Sequence, residues 1–337
     1  MRYQTALHPD TNTLIPASGP GTYSAAKAVS SARGAPPETT LPPLIVTLLA
    51  GLAATLLTPV ASWAGRGLAL VDTAARDPDG RAVPRTGGWV LIVVWLLANP
   101  QPSRLTFVLF AVWLIGLHDD RYQSSAKVRA VLIAILAMAL AVPGQPLLAA
   151  ATGTLWVAAV VVAFDFVDGI DGLAPGLGAL AGLGLVLLGG PGGAAIGGAC
   201  LGLLLWNRPT ARIHLGNNGS NALGLLVGGL TLPFIQLGQP LPAIALVLVP
   251  LVDLVVSLVR RFRSPGNPFG GDRLHLHHQA LRAGGPVRGL LRLLLVAAIA
   301  VGLAAGNPWL AAAGMALLTA GLLPLAVWSR DPDATLS

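Results

Sequence analysis

Eleven runs of apolar residues recur along this chain, with no stretch between them long enough for a soluble domain, and they commit the sequence to the bilayer. The runs cover 41–64, 87–98, 104–117, 128–142, 147–164, 173–189, 192–206, 220–237, 241–259, 289–304 and 307–328. A crossing takes about 20 apolar residues, fewer where neighbouring helices shield the ends. With 54% hydrophobic and only 10% charged residues over 337 positions, the chain could not bury its apolar surface as a water-soluble domain. The expected fold is all-α and polytopic, with ten to eleven transmembrane helices in one domain over 41–330. The glycines at 176, 178, 182, 184, 189, 190, 192 and 193 suit close helix packing or a broken span. Residues 1–40, rich in Pro, Ser, Thr and Ala and without apolar periodicity, read as a disordered tail and not a cleaved signal peptide. The single cysteine, Cys200, excludes an intrachain disulfide and reads as a small buried hydrophobe.

The net charge of +7 raises the question of nucleic acid, but topology accounts for it better. If the loops alternate sides, seventeen of the 21 Lys and Arg residues fall on one side and four, Arg2, Lys27, Arg33 and Arg104, on the other. By the positive-inside tendency the first side is cytoplasmic, with loops at 65–86, 118–127, 165–172, 207–219 and 260–288, and the amino terminus is outside. The expected location is a bacterial inner membrane, with no nucleic-acid partner.

The carboxylates carry the first sign of chemistry. Asp119, Asp120, Asp165, Asp168, Asp171 and Asp272 all fall at the cytoplasmic ends of runs or in the cytoplasmic loops. A merely solvated surface would mix Glu with Asp and Lys with Arg, whereas this chain has one Glu, Glu38, and two Lys. The adjacent pair Asp119-Asp120 stays ionised only if a cation offsets it, so it can hold Mg²⁺ or take a proton; alone it is a weak signal. In Phe164-Asp165-Phe166-Val167-Asp168-Gly169-Ile170-Asp171-Gly172-Leu173, three carboxylates at intervals of three offer oxygen ligands suited to Mg²⁺ or Mn²⁺. The spacing and closing Glu of an EF-hand are missing. The stretch His214-Leu215-Gly216-Asn217-Asn218-Gly219-Ser220 reads in isolation as a turn before a helix capped by Ser220. Asp272-Arg273-Leu274-His275-Leu276-His277-His278 could bind zinc, but no Cys accompanies it, and imidazoles beside arginines can instead grip a diphosphate.

In this order the four motifs, with Lys127 and Arg129 after the first, resemble those of the polyprenyl-phosphate N-acetylhexosamine-1-phosphate transferases. Residues 71–89 resemble that family's first cytoplasmic loop, and the likeness runs from about 41 to 328. The form Asp272-Arg-x-His275-x-His277-His278 is similar to the branch that transfers GlcNAc-1-phosphate. The resemblance implies a reaction between a UDP-N-acetylsugar and polyprenyl phosphate that gives a polyprenyl-diphospho-sugar and UMP, with Mg²⁺ or Mn²⁺. It implies Asp119 and Asp120 near the lipid phosphate, one of them a base, and Asp168 and Asp171 holding the nucleotide or the surroundings of the metal. His275, His277 and Arg273 would contact the diphosphate; Arg121, Lys127, His278, Gly216 and Ser220 are further binding positions. Many relatives dimerise, so a homodimer is among the implied states.

The departures are specific. The family commonly has Asn where Val162 and Asp165 stand, Asp where Gln123 stands, a basic and histidine-containing stretch where residues 76–81 stand, and a metal-binding Asp where this chain has Asn217. Asp165 and Asn217 read as an exchanged pair that still offers one carboxylate and one carboxamide to Mg²⁺. The alternatives are a catalytically degenerate relative that binds lipid phosphate or nucleotide sugar, and a transporter. A transporter would place acids near the bilayer midplane, where only Asp253 lies within an apolar run.

Overall fold

The computed structural model of the chain describes residues 41–72, 82–263 and 285–306. The calls on 1–40, on the run 307–328 and on Arg273, His275, His277 and His278 lie outside the described residues. Helices α1 (Pro43–Gly67), α2 (Gly87–Ala98), α3 (Arg104–Tyr122), α4 (Ala126–Ala141), α5 (Leu147–Val167), α6 (Leu173–Leu187), α7 (Gly193–Asn207), α8 (Gly216–Gln236), α9 (Pro240–Leu246), α10 (Leu248–Arg263) and α11 (Gly285–Gly306) form the bundle. A two-residue antiparallel ribbon, β1 (Val71–Asp72) with β2 (Val83–Pro84), pairs Val71 with Pro84 and Asp72 with Val83.

Among the described residues two helices, α1 and α5, are each long and apolar enough to cross a membrane alone. The others are shorter, more polar or bent, and depend on their neighbours. Helix α8 is the clearest case: nearly every residue from Gly216 to Phe234 is buried, against α5, α3 and α2. Outward-facing residues such as Leu44, Leu48, Leu56, Phe107, Leu147 and Leu155 are exposed, as expected of surfaces whose solvent is lipid. Small residues bring the helices together. A Cβ on Gly198 or Gly202 of α7 would collide with α1, and one on Gly182 of α6 would collide with the α7 backbone.

The expected span 241–259 is two helices, because α9 and α10 meet at a bend of 85°. Pro250 accounts for the break: it has no N–H to give and its ring clashes with the carbonyl four residues earlier, that of Leu246, the last residue of α9. Three loops are also shorter than expected. Helix α3 runs on to Tyr122, α5 contains Asp165, and α8 begins at Gly216, so Ser220 lies inside the helix and is not its cap.

Candidate active site at one end of the bundle

From α1 to α8 the helices alternate in direction, so the segments 68–72, 82–86, 123–125, 168–172 and 208–215 share one end. Long-range bonds tie them together there: Gly87 N–H donates to the His214 carbonyl at 3.0 Å, His214 N–H to the Pro84 carbonyl at 2.8 Å, and Thr86 Oγ1 to the Ala61 carbonyl at 2.7 Å.

The junction of α3 with α8 sets the geometry. Gly116 lies directly against the backbone of Asn217 and Asn218, where a Cβ would collide. That close approach lets Asp120, one turn further along α3, reach the first turn of α8. The Asp120 carboxylate accepts the backbone N–H of Asn217 (2.9 Å) and of Asn218 (3.0 Å) and the Asn218 side-chain amide (2.6 Å). An acidic side chain on another helix thus supplies the cap that α8 lacks locally, at the end where the helix dipole favours negative charge. Gly216, at φ 72°, allows the sharp entry into that turn.

Asp119 has different partners. Its carboxylate accepts from Ser124 Oγ at 2.6 Å, from the Asn217 side-chain amide and from Arg129, the last an ion pair. Arg129 also reaches Asp165 at 3.3 Å, and Ser220 donates to the other oxygen of Asp165 at 3.1 Å. Asp119 of α3 and Asp165 of α5 therefore share one guanidinium from α4, and Asn217 and Ser220 of α8 donate to the same two carboxylates.

A second group lies alongside. Arg85 is paired with Asp72 and lies 3.8 Å from Asp120. His214 bridges Asp72 (3.2 Å) and Asp171 (3.5 Å). Burial alone would lower the imidazole pKa, but its contacts with Asp171 and Asp72 and the charge of Asp168 outweigh this and push it up to about 9. The Arg85 guanidinium is held above its ordinary value in the same way, with burial opposed by Asp72, Asp120 and Asp168. Asp171 also accepts the Ala211 N–H at 2.9 Å, while Asn207 accepts the Gly172 N–H at 2.8 Å and donates to the Ile213 carbonyl at 2.7 Å, which locks the 168–172 and 208–215 loops together.

Of the residues singled out in the sequence, Asp119, Asp120, Asp165, Asp168, Asp171, Gly216, Asn217 and Ser220 meet at this end. Arg121 and Lys127 are exposed at its rim, Arg121 donating to the Leu68 carbonyl at 3.5 Å. Arg85, His214, Asn207 and Asn218, and Asp72 in its role of pairing Arg85 with His214, were not expected from sequence. His214 and Asn218 carried a signal in their place within the His214–Ser220 motif, and Asp72 and Arg85 in the resemblance of residues 71–89 to the family's first cytoplasmic loop. Asp253 is 1% exposed within α10.

The glycosyl transferase family 4 model matches residues 103–235, the segment that carries every helix of this junction except α1 and α2. An undecaprenyl-phosphate α-N-acetylglucosaminyl 1-phosphate transferase of Thermotoga maritima is 31% identical over 227 residues, 65% of this chain and 75% of that protein. A decaprenyl-phosphate N-acetylglucosaminephosphotransferase of Mycolicibacterium smegmatis is 30% identical over 334 residues, 78% of this chain and 82% of that protein. The chain belongs to glycosyl transferase family 4. A third member, the probable undecaprenyl-phosphate N-acetylglucosaminyl 1-phosphate transferase of Bacillus subtilis, is 26% identical over 277 residues. Within this family the chain is a membrane protein, and the carboxylate end is where the three motifs among the described residues converge.

Proposed function

We propose that this protein transfers GlcNAc-1-phosphate from UDP-GlcNAc to polyprenyl phosphate and releases UMP, as the initiating step of a cell-surface glycan. A phosphate oxygen of the lipid attacks the β-phosphorus of the donor; the new P–O bond forms as the bond from the β-phosphorus to the bridging oxygen breaks, and UMP leaves with that oxygen and its electron pair. The observation that carries this reading is the convergence of Asp119 of α3 and Asp165 of α5 on Asn217 and Ser220 at the start of α8, with Asp171 of the adjoining loop held on His214, two residues before that helix. Little covalent chemistry is asked of the protein in such a transfer, so positioning and charge neutralisation dominate.

Asp119 is the better placed of the adjacent pair to meet the acceptor phosphate and keep it ionised, since Asp120 is spent on the α8 backbone. Arg85, Arg129 and His214 supply positive charge beside the phosphates, with Arg121 and Lys127 at the rim. Among the described residues no group of three Asp, Glu, His or Cys side chains is placed to hold a metal by itself. That matches the habit of Mg²⁺, which takes one or two protein carboxylates and completes its shell with substrate phosphates and water. The donor set here is oxygen only, so Asp165 and Asn217 fit as the protein's ligands, with Asp168 close by. Mg²⁺ bound there supplies charge that offsets the diphosphate oxygens.

The carboxylate end faces the cytoplasm in this reading, on the strength of the seventeen-to-four distribution of basic residues, with the chain in a bacterial inner membrane. The purified protein in detergent, given UDP-GlcNAc and undecaprenyl phosphate, is expected to release UMP only when both substrates and Mg²⁺ are present. Folded protein that releases none, across a panel of UDP-N-acetylsugars, would leave a binding or scaffolding role, which Asn217 in place of a carboxylate favours. The variants Asp165→Asn, Asn217→Asp and the double change test the exchanged pair: activity that appears only in the double variant refutes it.

A further inference from the structure

Arg129 does more than line the site. Its guanidinium joins carboxylates from two different helices, Asp119 on α3 and Asp165 on α5, with side chains only 20%, 5% and 13% exposed. Asn217 turns its amide nitrogen, a donor, to the same Asp119 oxygen that Arg129 engages. Donors thus occupy the oxygens that a divalent ion between α3, α5 and α8 would need. A guanidinium and a divalent cation repel each other strongly at such distances in a partly buried site. Lys127 and Arg121 are exposed at the rim.

We propose that Arg129 is an internal counter-ion that competes with the divalent cation for Asp119 and Asp165, and that the diphosphate of the donor draws it off. The inference rests on the reading of the site given above. A guanidinium offers two parallel donors, a match for carboxylate and for phosphate alike, so exchange of one partner for the other keeps its hydrogen bonds made. Arg129 then delivers positive charge to the diphosphate in the same movement that exposes the carboxylates to metal. Donor and metal bind cooperatively as a result, and a site without donor holds its metal weakly.

Binding of Mn²⁺ to the full chain in detergent, followed by the electron paramagnetic resonance signal of the free ion, tests this without turnover. Arg129→Gln is expected to bind Mn²⁺ about tenfold more tightly than wild type in the absence of nucleotide, within the usual range of coupling between sites. UDP-GlcNAc, without acceptor lipid, should tighten Mn²⁺ binding by a similar factor in wild type and by clearly less in the variant. The nucleotide-free comparison is decisive, because a diphosphate also ligates metal directly. If Arg129→Gln does not melt cooperatively, Arg129→Leu removes the same charge and takes its place. Equal or weaker Mn²⁺ binding by the neutral variants overturns the counter-ion role and leaves the transferase reading intact. Failure of wild type to bind Mn²⁺ with or without UDP-GlcNAc overturns the metal site and the counter-ion together.

Discussion

The two ends of this bundle are built from the same alternating helices but are closed in different ways. At the 99–103, 142–146, 188–192 and 237–239 end the bonds are neutral: Ser103 Oγ accepts the Thr106 N–H at 3.1 Å within its own turn, and the Gln236 amide donates across helices to the Ala141 carbonyl at 3.2 Å. At the other end the turns are joined by buried charge, with Asp72, Asp119, Asp120, Asp165 and Asp171 interleaved with Arg85, Arg129 and His214. Burying charge is costly even when it is paired, and in a membrane protein it generally marks function. The contrast teaches that the two ends differ in what joins them, neutral bonds at one and ion pairs at the other, and the proposed chemistry belongs to the charged end.

The largest expected effect that would sharpen this contrast is on turnover. Asp119→Ala should lower kcat for UMP release by about 10²–10³, the range seen when one preorganised electrostatic group is removed. Near-normal turnover would make Asp119 a structural acid like its neighbour. Next, Asp120→Ala strips the cap from α8 and leaves Asn218 short of a partner; a loss of roughly 3 kcal/mol is expected, since buried hydrogen bonds to charged groups are worth about 1.5–3 kcal/mol each. Chemical unfolding in detergent would measure it. Gln236→Ala at the opposite end should cost no more than about 1 kcal/mol by the same measurement, and equal losses at the two ends would erase the distinction.

A change confined to backbone packing comes third. Gly116→Ala forces a methyl group into the Asn217–Asn218 backbone and should cost about 1–3 kcal/mol, the usual range for overpacking. Gly302→Ala in α11, where nothing lies within 4 Å, should be neutral or gain up to about 1 kcal/mol through helix propensity.

The smallest effect is on pH dependence. Because the folded pKa of His214 is raised from 6.5 to about 9, the stabilisation from its charged form is complete below the lower value and disappears as pH rises through the upper one. The melting temperature of wild type should therefore exceed that of His214→Gln at pH 6, with the gap closing towards pH 10. A gap that widens with pH would mean that the imidazole is neutral between Asp72 and Asp171.

Much of this was legible in the sequence, for physical reasons that particular residues illustrate. The apolar runs at 87–98 and 147–164 became α2 and α5 with ends moved by at most a few residues, because an apolar run away from water has to satisfy its backbone polar groups within a helix. The carboxylates of the 164–173 motif also stood out, since acids beside spans are rarely idle. The division of labour between Asp119 and Asp120 was not legible. They are identical neighbours, and only the packing of Gly116 on α8, about 100 residues further along the chain, turns one towards backbone N–H groups and the other towards Arg129. The link from Asp72 to His214 spans 142 residues and has no local pattern to announce it. Pro250 did carry a signal for the bend at α9, but the apolar run around it, uninterrupted by charge up to Asp253, read as one span.

The central claim is that the charged end moves a sugar together with its phosphate onto a lipid phosphate. Donor labelled with ³²P in its β-phosphate, incubated with the purified protein, Mg²⁺ and undecaprenyl phosphate, tests it directly. The account predicts that the label moves into the organic-soluble lipid in step with the appearance of unlabelled UMP. Label that stays in the aqueous phase as UDP while sugar reaches the lipid, or as intact UDP-GlcNAc in the presence of well-folded protein, would contradict it.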